Sequence, residues 1–563
     1  MSKIVIVGGV AGGATSAARL RRLDEFAEIV MFERGEHISF ANCGLPYYIG
    51  GAIAERRALL LQTPESFRRR FNVDVRTQSE VLSINRGQKT VRVNNLRTGE
   101  TYDEEYDKLI LAPGGSPIKP PIPGIDSRRV FTLRNIADID RIKNFINENN
   151  PRSAAVAGGG FIGIEMAENL MAAGLETSII ELADQVIAPL DFDMACDVHR
   201  HLRQQGVTLL LNNGLQKIAE DADGVDGAEG AGSVDGADGL TIELQNGSLR
   251  ADMLILAIGV RPDSGLAKAA GLDVSGRGGI VTDKHMRTSD PDIYAVGDAA
   301  EVTDFVTGQA AMIPLAGPAN KQARVAADNI CGIPTEYTGS QGSAVIKVFD
   351  MTVASTGINE KTAARLGMNY DKVFLWLPGH AGYYPGARPM SMKVIFEKES
   401  GKILGAQIAG FEGADKRCDV LAVAIRAGMM AADLTQLELC YAPPYSSAKD
   451  PVNMAGFAIE NILTGKVKNF HWHEVGDLPR DGSVTLLDVR NPQETALGSI
   501  EGFVNIPLDS LRERIGELDV SKPAYVHCQS GMRSYVAARI LSQRGFDVYN
   551  LSGGYRLYSA VKG

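Results

Sequence analysis

Residues 154–163 read AAVAGGGFIG, a short apolar run that leads directly into a glycine-rich turn. Gly158, Gly160 and Gly163 complete the G-x-G-x-x-G spacing, and a helical pattern follows them. Glycines at these positions permit a tight turn and a close backbone approach, so that the N-terminus of the next helix can hold a pyrophosphate. The next strand ends at Glu181, whose carboxylate can accept from a ribose 2′-hydroxyl and repels a 2′-phosphate. The stretch therefore predicts a dinucleotide-binding domain that favours NADH over NADPH.

A second unit of this kind opens the chain. The strand pattern Lys3–Val7 leads to Gly8 and Gly13, with Val10 in place of the middle glycine, and the following strand ends at Glu33. A strand, a glycine turn, a helix and a further strand, occurring twice, imply two doubly wound nucleotide-binding domains.

Composition narrows the class of protein. The 563 residues are 44% hydrophobic and 22% charged, which is typical of globular chains, and the formal net charge is −10. An acidic chain is a poor candidate for binding nucleic acid or an anionic membrane, and no apolar run approaches the ~18 residues of a membrane span. The six cysteines are too few and too scattered for a disulfide scaffold, and no cluster has metal-ligand spacing. We expect a cytoplasmic protein with no metal site and no nucleic-acid or membrane partner.

Two later segments complete a pattern of four separated motifs. They are KLILAPGG at 108–115 and TSDPDIYAVGDA at 288–299, in which a strand ends in Gly297-Asp298. In this order, the motifs resemble the FAD- and NAD-binding flavoprotein disulfide reductases over residues 1–455. The resemblance implies that Asp298 binds the FAD ribityl chain, that Glu33 binds the FAD ribose, and that Phe161 covers the flavin until nicotinamide displaces it. It also assigns cofactor contacts to Arg34, Val81, Arg134 and Ala316.

The redox chemistry is expected in SFANCGLPYY at 39–48. Most reductases of this architecture carry a second cysteine five positions after the first, and here that position is Tyr48. Cys43 therefore has no partner on its own helix, which leaves a mixed disulfide with a mobile thiol, a persulfide or a sulfenic acid. The related NADH peroxidases and oxidases, which use the sulfenic acid, carry a histidine at the position of Ala11, so peroxide chemistry is disfavoured.

The stretch around Cys43 closely resembles the coenzyme A-disulfide reductases. Coenzyme A carries phosphates, and guanidinium groups suit bidentate phosphate contacts. The resemblance places coenzyme A contacts at Thr15, Arg19, Arg22, Ser39, Asn42 and Lys449. It implies a substrate-side tyrosine at Tyr441, a second at Tyr383 or Tyr384, and a homodimer whose active sites are shared. Phe71 and Asn320 stand where the family has Lys or His.

A different motif lies near the end of the chain, AYVHCQSGMRS at 524–534. A strand ends in Cys528, and a six-residue loop closes with Arg533 at the start of a helix. Converging backbone N–H groups, a helix N-terminus and an arginine all favour an anionic sulfur. Together with LLDVR and NIP upstream, this loop resembles a rhodanese domain, whose catalytic residues are Cys528 and Arg533.

The predicted fold class is α/β, with two doubly wound dinucleotide-binding domains for FAD and NAD, an α+β dimerisation domain and a rhodanese-like α/β domain. We expect FAD-binding segments at 1–115 and 256–325, an NAD-binding domain at 116–255 and a dimerisation domain at 326–455. A linker at 456–474 and a rhodanese domain at 475–563 follow. The acidic, glycine-rich segment 221–239 is interpreted as a flexible hairpin insertion without a catalytic role.

Three functions fit these features. The favoured one is NADH- and FAD-dependent reduction of a persulfide or polysulfide, such as coenzyme A persulfide, at Cys43, with sulfane sulfur handled by Cys528. The first alternative is a coenzyme A-disulfide reductase in which Cys528 is dispensable. The second is a sulfurtransferase with a regulatory flavoprotein part. The implied cofactors and substrate are FAD, NADH and coenzyme A.

Overall fold

The computed structural model describes residues 2–220 and 239–562. Its contacts divide the chain into two compact units, one formed by Met1–Val186 with Gly206–Gly342 and the other by Ile187–Gln205 with Ser343–Gly563. The predicted insertion 221–239 lies outside the described residues, apart from Gly239.

The first unit begins with a five-stranded parallel sheet. Its strands are Ile293–Ala295, Lys108–Leu111, Lys3–Val7, Glu28–Glu33 and Asp74–Thr77, in sheet order. They are nearly continuous apolar runs because both faces of such a sheet are covered. The helices of this part are Ala11–Leu23, Leu45–Ile49, Pro64–Phe71, Gly265–Ala269 and Ala316–Ile330. Short 3₁₀ turns span Asn42–Gly44, Arg56–Leu59 and Gly297–Ala299.

Smaller sheets, mostly antiparallel, belong to the same part of the chain. One three-stranded sheet consists of Ser79–Asn85, Thr90–Asn95 and Thr101–Glu105. Gly115–Pro117 pairs with Val260–Pro262, and a third small sheet combines Ile280–Val281, Ala300–Thr303 and Ala310–Ala311.

The second dinucleotide-binding part of this unit repeats the architecture. Its parallel sheet has the order Thr208–Leu210, Glu176–Ile180, Ser153–Ala157, Met253–Leu256 and Val130–Thr132. An antiparallel sheet consists of Leu215–Glu220, Leu240–Leu244 and Ser248–Ala251, and the helices are Ile136–Asn149 and Phe161–Ala172.

The second unit contains an antiparallel sheet and, after it in sequence, a parallel one. The antiparallel order is Ala344–Val348, Met351–Gly357, Ile403–Gly410, Pro389–Glu397 and Tyr370–Pro378. Its helices are Phe192–Gln204, Glu360–Arg365, Ala414–Arg426, Ala431–Gln436 and Pro451–Leu463.

The parallel sheet of the C-terminal part has the order Lys468–Phe470, Val548–Leu551, Ala524–His527, Thr485–Asp488 and Val504–Asn505. Its helices are Pro492–Ala496, Leu511–Arg514, Met532–Ser542 and Gly554–Lys562. Further 3₁₀ turns span Trp472–Asp477, Leu508–Ser510 and Ile515–Glu517.

Structured elements and unit limits lie close to or within three of the predicted segments. Helix Ala316–Ile330 crosses the predicted boundary at 325, and the first unit extends to Gly342. The segment Ile187–Gln205, which lies within the predicted NAD-binding domain, makes most of its contacts with the second unit, where its carboxylates pair with Lys393 of the antiparallel sheet. The predicted linker 456–474 is structured, because Phe470 is buried in a strand of the C-terminal sheet.

Candidate active sites

A cavity of about 750 Å³ opens at the carboxyl ends of the first parallel sheet. This edge of a doubly wound sheet is where nucleotides bind. Six of the predicted cofactor residues line the cavity, namely Gly8, Glu33, Arg34, Val81, Arg134 and Asp298. Ala316, also predicted to contact the cofactor, does not line the cavity. It is exposed at the first position of its helix, and Ala319, one turn later, lines the cavity instead.

The two glycine turns of the first unit are built in the same way. Gly8 and Gly158 have φ of +102° and +111°, and a Cβ on either would lie 2.1 or 2.3 Å from a carbonyl oxygen of a neighbouring strand end. Gly13 and Gly163 permit close helix packing, because their Cβ atoms would collide with the carbonyl oxygens of Gly8 and Gly158. A Cβ on Gly160, in contrast, would meet nothing within 4 Å, which leaves open space at the N-terminus of the helix.

The two strand-end acids also occupy matching positions. Glu33 accepts from the backbone N–H of Gly9 at 2.8 Å, and Glu181 accepts from that of Gly159 at 2.6 Å. Each carboxylate is thereby held beside its glycine turn, where a ribose would lie. The cavity, the glycine turn and the carboxylates fit an FAD at the first site, and the second turn with Glu181 fits the adenosine half of NADH.

Asp298 lies deep in the cavity, on the 3₁₀ turn Gly297–Ala299. Burial raises the pKa of its carboxyl, and the positive charge of Arg134 partly opposes this. Arg134 is itself fixed by an ion pair with Asp263 at 2.8 Å and by a hydrogen bond to Ser116 at 2.7 Å. The cavity therefore presents a polar group that a hydroxylated chain could engage.

The predicted redox thiol lies next to this cavity. Phe40 and Asn42 line the cavity, and Cys43 follows on the 3₁₀ turn Asn42–Gly44, ahead of helix Leu45–Ile49. Cys43 is exposed, and each of the six cysteines, all within the described residues, is a free thiol. Partial burial of the sulfur raises the pKa of the Cys43 thiol, and the negative charges of Glu165 and Asp298 raise it further. The protein's own side chains thus favour the protonated thiol.

The two arginines expected to bind coenzyme A differ in whether a carboxylate of the protein already pairs with them. Arg19 is paired with Asp328 at 2.7 Å, whereas Arg22 is exposed. Arg21, on the same helix, is buried and donates to five backbone carbonyls, including those of Phe71 and Ala27, so its role is structural.

The smaller predicted contacts lie on two neighbouring segments. The hydroxyl of Thr15 donates to the Asn320 amide oxygen at 2.6 Å. Asn42 is exposed, and Ser39 has a left-handed φ of +44°, a backbone conformation uncommon for a residue with a side chain.

The tyrosines predicted to face the substrate lie in the second unit. The hydroxyls of Tyr383 and Tyr441 are 2.8 Å apart and form a hydrogen bond, and both side chains are exposed. The Tyr384 ring instead packs edge-on against His380, with centroids 5.6 Å apart. Of the two candidates left open by the sequence, the structure therefore pairs Tyr383 with Tyr441. Lys449 is exposed in the segment that follows.

The Cys528 loop surrounds its sulfur with donors. Cys528 is buried, the backbone N–H of Gly531 donates to Sγ at 3.1 Å, and the Ser534 hydroxyl donates to it at 3.3 Å. Gly531 has a φ of +98°, which turns its N–H toward the sulfur. Arg533 closes the loop and forms a bidentate ion pair with Glu494. Such a cradle stabilises an anionic sulfur, including a persulfide.

Comparison with protein-family models assigns each part of the chain. The pyridine nucleotide-disulphide oxidoreductase model matches residues 2–323, and the dimerisation domain of the same enzymes matches 343–451. The chain belongs to the pyridine nucleotide-disulphide oxidoreductase family. A rhodanese-like domain model matches residues 471–560, so this oxidoreductase carries a fused rhodanese domain.

Individual relatives agree with this assignment. A coenzyme A disulfide reductase from Staphylococcus aureus is 37% identical over 459 residues, which cover 81% of this chain and 99% of that protein. Reduced CoADR-RHD from Bacillus anthracis is 52% identical with a TM-score of 0.95, covering 100% of this chain and 98% of that one. A NAD-dependent persulfide reductase from A. fulgidus is 37% identical with a TM-score of 0.89, covering 99% and 100% of the two chains.

Family membership confirms the predicted fold class and the FAD- and NAD(H)-dependent oxidoreductase chemistry. Within the described residues, no helix combines the length and the apolar character that crossing a membrane requires.

The oxidoreductase part contains one pair that the sequence reasoning missed. The Tyr47 hydroxyl donates to Glu165 at 3.3 Å, and burial raises the pKa of both groups. Glu165 follows Phe161 by one helical turn, and Tyr47 follows Cys43 by four residues. This i, i+4 spacing from two already recognised residues was the available signal.

The rhodanese part also contains residues that the sequence reasoning missed. Beneath the Cys528 loop, the buried side chains of Asp488 and Arg490 pair at 2.7 Å, and backbone N–H groups of Tyr555 and Arg556 donate to the loop carbonyls. These contacts hold the loop from below. Asp488 and Arg490 belong to the LLDVR motif, in which they are only two residues apart, so the motif itself was the available signal.

Proposed function

We propose that this oxidoreductase is an NADH-dependent persulfide or polysulfide reductase with coenzyme A persulfide as a substrate, and that Cys528 carries sulfane sulfur for the reaction. The observation that carries the proposal is the donor cradle around Cys528, fused in one chain to a reductase whose candidate redox cysteine, Cys43, is followed by Tyr48 where a second cysteine would stand. A carrier of sulfane sulfur supplies persulfides, and plain disulfide reduction has no need of one.

The reductive half is assigned to Cys43. Its thiolate attacks the inner sulfur of coenzyme A persulfide, the sulfur–sulfur bond breaks, and hydrosulfide leaves as the mixed disulfide forms. Two electrons and one proton then return the Cys43 thiolate and free coenzyme A. When bound, FAD would transfer those two electrons from NADH. Glu33, Asp298 and the Gly8 turn would hold that cofactor, and Glu181 would orient NADH.

Proton handling is assigned to the tyrosine pair. A leaving thiolate needs a hydrogen-bond donor, and the linked hydroxyls of Tyr383 and Tyr441 provide one. Both tyrosines belong to the region that matches the dimerisation domain. We therefore propose a homodimer in which this pair and Lys449 complete the active site of the partner subunit.

Coenzyme A-disulfide reduction is the second candidate. The relative from Staphylococcus aureus carries that name and matches 81% of this chain, and the two functions share every proposed residue before the rhodanese domain. A sulfurtransferase with a regulatory flavoprotein part is the third candidate, and it predicts sulfur transfer without NADH.

The test measures NADH oxidation and sulfide release with coenzyme A persulfide and with coenzyme A disulfide. Cys43→Ser is expected to abolish both reactions, and Cys528→Ser is expected to lower only turnover that draws sulfur from a separate thiol-bound donor such as glutathione persulfide. Cys418→Ala, a buried cysteine in helix Ala414–Arg426, is the matched control. Full persulfide turnover by the Cys43 variant would refute the proposal. A preference of the wild type for the disulfide, unaffected by Cys528→Ser, would favour the second candidate.

A further inference from the structure

The positive charge at the end of the Cys528 loop is neutralised by a residue from another element. The two terminal nitrogens of Arg533 lie 2.7 and 2.6 Å from the two carboxylate oxygens of Glu494, on helix Pro492–Ala496. Both side chains are about one-third exposed. A bidentate pair of this kind fixes the direction of the guanidinium as well as its charge.

Glu494 is held in place independently of Arg533. The same carboxylate accepts from the backbone N–H of Asn491 at 3.0 Å, which forms a capping box at the start of its helix. Its pKa is lowered to about 2 by the hydrogen bonds from Arg533 and Asn491, with the charge of Arg490 contributing, so it stays ionised at neutral pH. Glu494 is therefore a fixed negative charge beside the loop.

A second arginine near the Cys528 loop is also paired with a carboxylate. Arg490 is paired with Asp488 beneath the loop, and its guanidinium also contacts the side chain of Gln529. The direct contacts of the sulfur are the neutral donors Gly531 N–H and Ser534 O–H. The loop can therefore stabilise one negative charge on a sulfur atom, but it offers no uncompensated cation to a donor with two.

We propose that Glu494 determines the donor specificity of Cys528, by disfavouring compact dianionic sulfane donors such as thiosulfate and favouring persulfides carried on a thiol. This inference rests on the proposed sulfur-carrier role of Cys528. With thiosulfate, the Cys528 thiolate would attack the sulfane sulfur, the sulfur–sulfur bond would break, and sulfite would leave with two negative charges. The Glu494 carboxylate, bonded to the arginine that closes the loop, repels that dianion, whereas the phosphates of coenzyme A persulfide are separated from its sulfur by the long pantetheine arm.

The experiment uses the full-length holoenzyme and Glu494→Gln, with thiosulfate as donor and cyanide as acceptor. Glutamine retains the capping box while releasing the charge of Arg533. We expect the KM for thiosulfate to fall about fivefold at low salt with kcat changed less than about twofold, and the gain to shrink as salt is added. Glu494→Gln combined with Arg533→Gln is expected to lose the gain. Glu517→Gln, which releases Arg514 from an equally bidentate surface pair in the same domain, is the matched control and should leave KM unchanged.

A second measurement does not depend on sulfur transfer. Alkylation of Cys528 by anionic iodoacetate is compared with alkylation by neutral iodoacetamide, and the ratio of the two rates is expected to rise in Glu494→Gln. An unchanged KM together with an unchanged ratio, or an equal effect of Glu517→Gln, would overturn the inference. If the ratio rises but no variant transfers sulfur from any donor, the charge role of Glu494 stands and the proposed function of Cys528 is refuted.

Discussion

Replacing Lys393 with methionine is expected to destabilise the second unit strongly. Lys393 lies in strand Pro389–Glu397 with its side chain completely buried. Its ammonium group is 2.9 Å from a carboxylate oxygen of Asp191 and 2.9 Å from one of Asp193, and it also contacts Glu360. These carboxylates are the one group with metal-ligand geometry among the residues the structure describes, and the ammonium occupies the position between them.

The expected loss of stability follows from the hydrogen bonds that each aspartate retains when Lys393 is absent. Without Lys393, Asp191 retains a hydrogen bond from the Gln407 amide at 2.6 Å, and Asp193 retains one from the indole N–H of Trp472 at 3.2 Å. Neither donor carries a charge. Removing one partner from a buried ion pair costs about 3–5 kcal/mol, because the remaining charge stays uncompensated. For a unit of this size, 1 kcal/mol shifts Tm by about 2–4 °C, so the expected decrease in Tm is about 6–20 °C.

The assay is thermal unfolding followed by tryptophan fluorescence. Both tryptophans of the chain, Trp376 and Trp472, lie in the second unit, so their emission reports on that unit alone. Lys468→Met is the matched control, because Lys468 forms an exposed ion pair with Asp547 in the same unit. An exposed pair of this kind contributes less than about 1 kcal/mol.

The dependence of stability on pH provides an independent test of the same reasoning. In the wild type, the positive charges of Lys393 and Lys372 hold the pKa of Glu360 at about 2, below its ordinary value. This contribution to stability is complete above about pH 4.5 and is lost as the pH falls toward 2. Lys393→Met removes one of the two positive charges that lower the pKa of Glu360, so that pKa lies closer to its ordinary value in the variant. The variant should therefore lose less stability than the wild type as the pH falls from about 4.5 to 2. A Tm within about 2 °C of the wild type, or an unchanged slope with pH, would refute this reasoning.

Three further predictions concern the active sites. Tyr441→Phe removes the hydroxyl that is hydrogen-bonded to Tyr383. In steady-state kinetics, we expect kcat for persulfide reduction to fall about 10- to 100-fold, with little change in the KM for NADH. An unchanged kcat would show that Tyr441 takes no part in the reaction. Glu181→Ser removes the carboxylate beside Gly159, and we expect the ratio of kcat/KM for NADPH to that for NADH to rise at least about tenfold, whereas a constant ratio would contradict the assigned ribose contact. Gly531→Ala places a side chain on a residue with a φ of +98°, which costs about 1–3 kcal/mol of backbone strain and displaces the N–H from Sγ of Cys528. Mass spectrometry should therefore find less persulfide on Cys528, whereas coenzyme A disulfide reduction should be unchanged.

The nucleotide-binding parts were predictable because their chemistry is local in sequence. A glycine turn needs positive φ or close packing at fixed spacings, and the acid at the end of the next strand returns to the turn, as Glu33 and Glu181 do. The rhodanese loop was predictable for the same reason, since Cys528, Gly531 and Ser534 lie within one short segment. The geometry of these motifs is therefore determined by residues that lie close together in the sequence.

The features that escaped prediction depend on distant partners. Helix Phe192–Gln204 contains many charged residues and resembles a solvated surface helix, yet Asp193 and Asp197 are buried. Asp193 pairs with Lys393, which is 200 residues away in the chain. Arg21 lies between the predicted coenzyme A contacts Arg19 and Arg22, and nothing near it in sequence marks the five carbonyls that it binds. The pairing of Glu494 with Arg533 likewise joins two segments 39 residues apart.

The two candidate thiols lie in opposite electrostatic settings, and this difference gives the proposed sulfur transfer a direction. Cys43 is exposed beside Glu165 and Asp298, whose charges raise its pKa, so these side chains oppose a lasting negative charge on its sulfur. Cys528 is buried and receives two neutral hydrogen bonds, which stabilise such a charge. A persulfide anion is therefore expected to persist on Cys528 and to be short-lived at Cys43. Under the proposed function, sulfur is stored where its charge is stabilised and reduced where it is not, so each thiol suits one half of the reaction and is a poor substitute in the other.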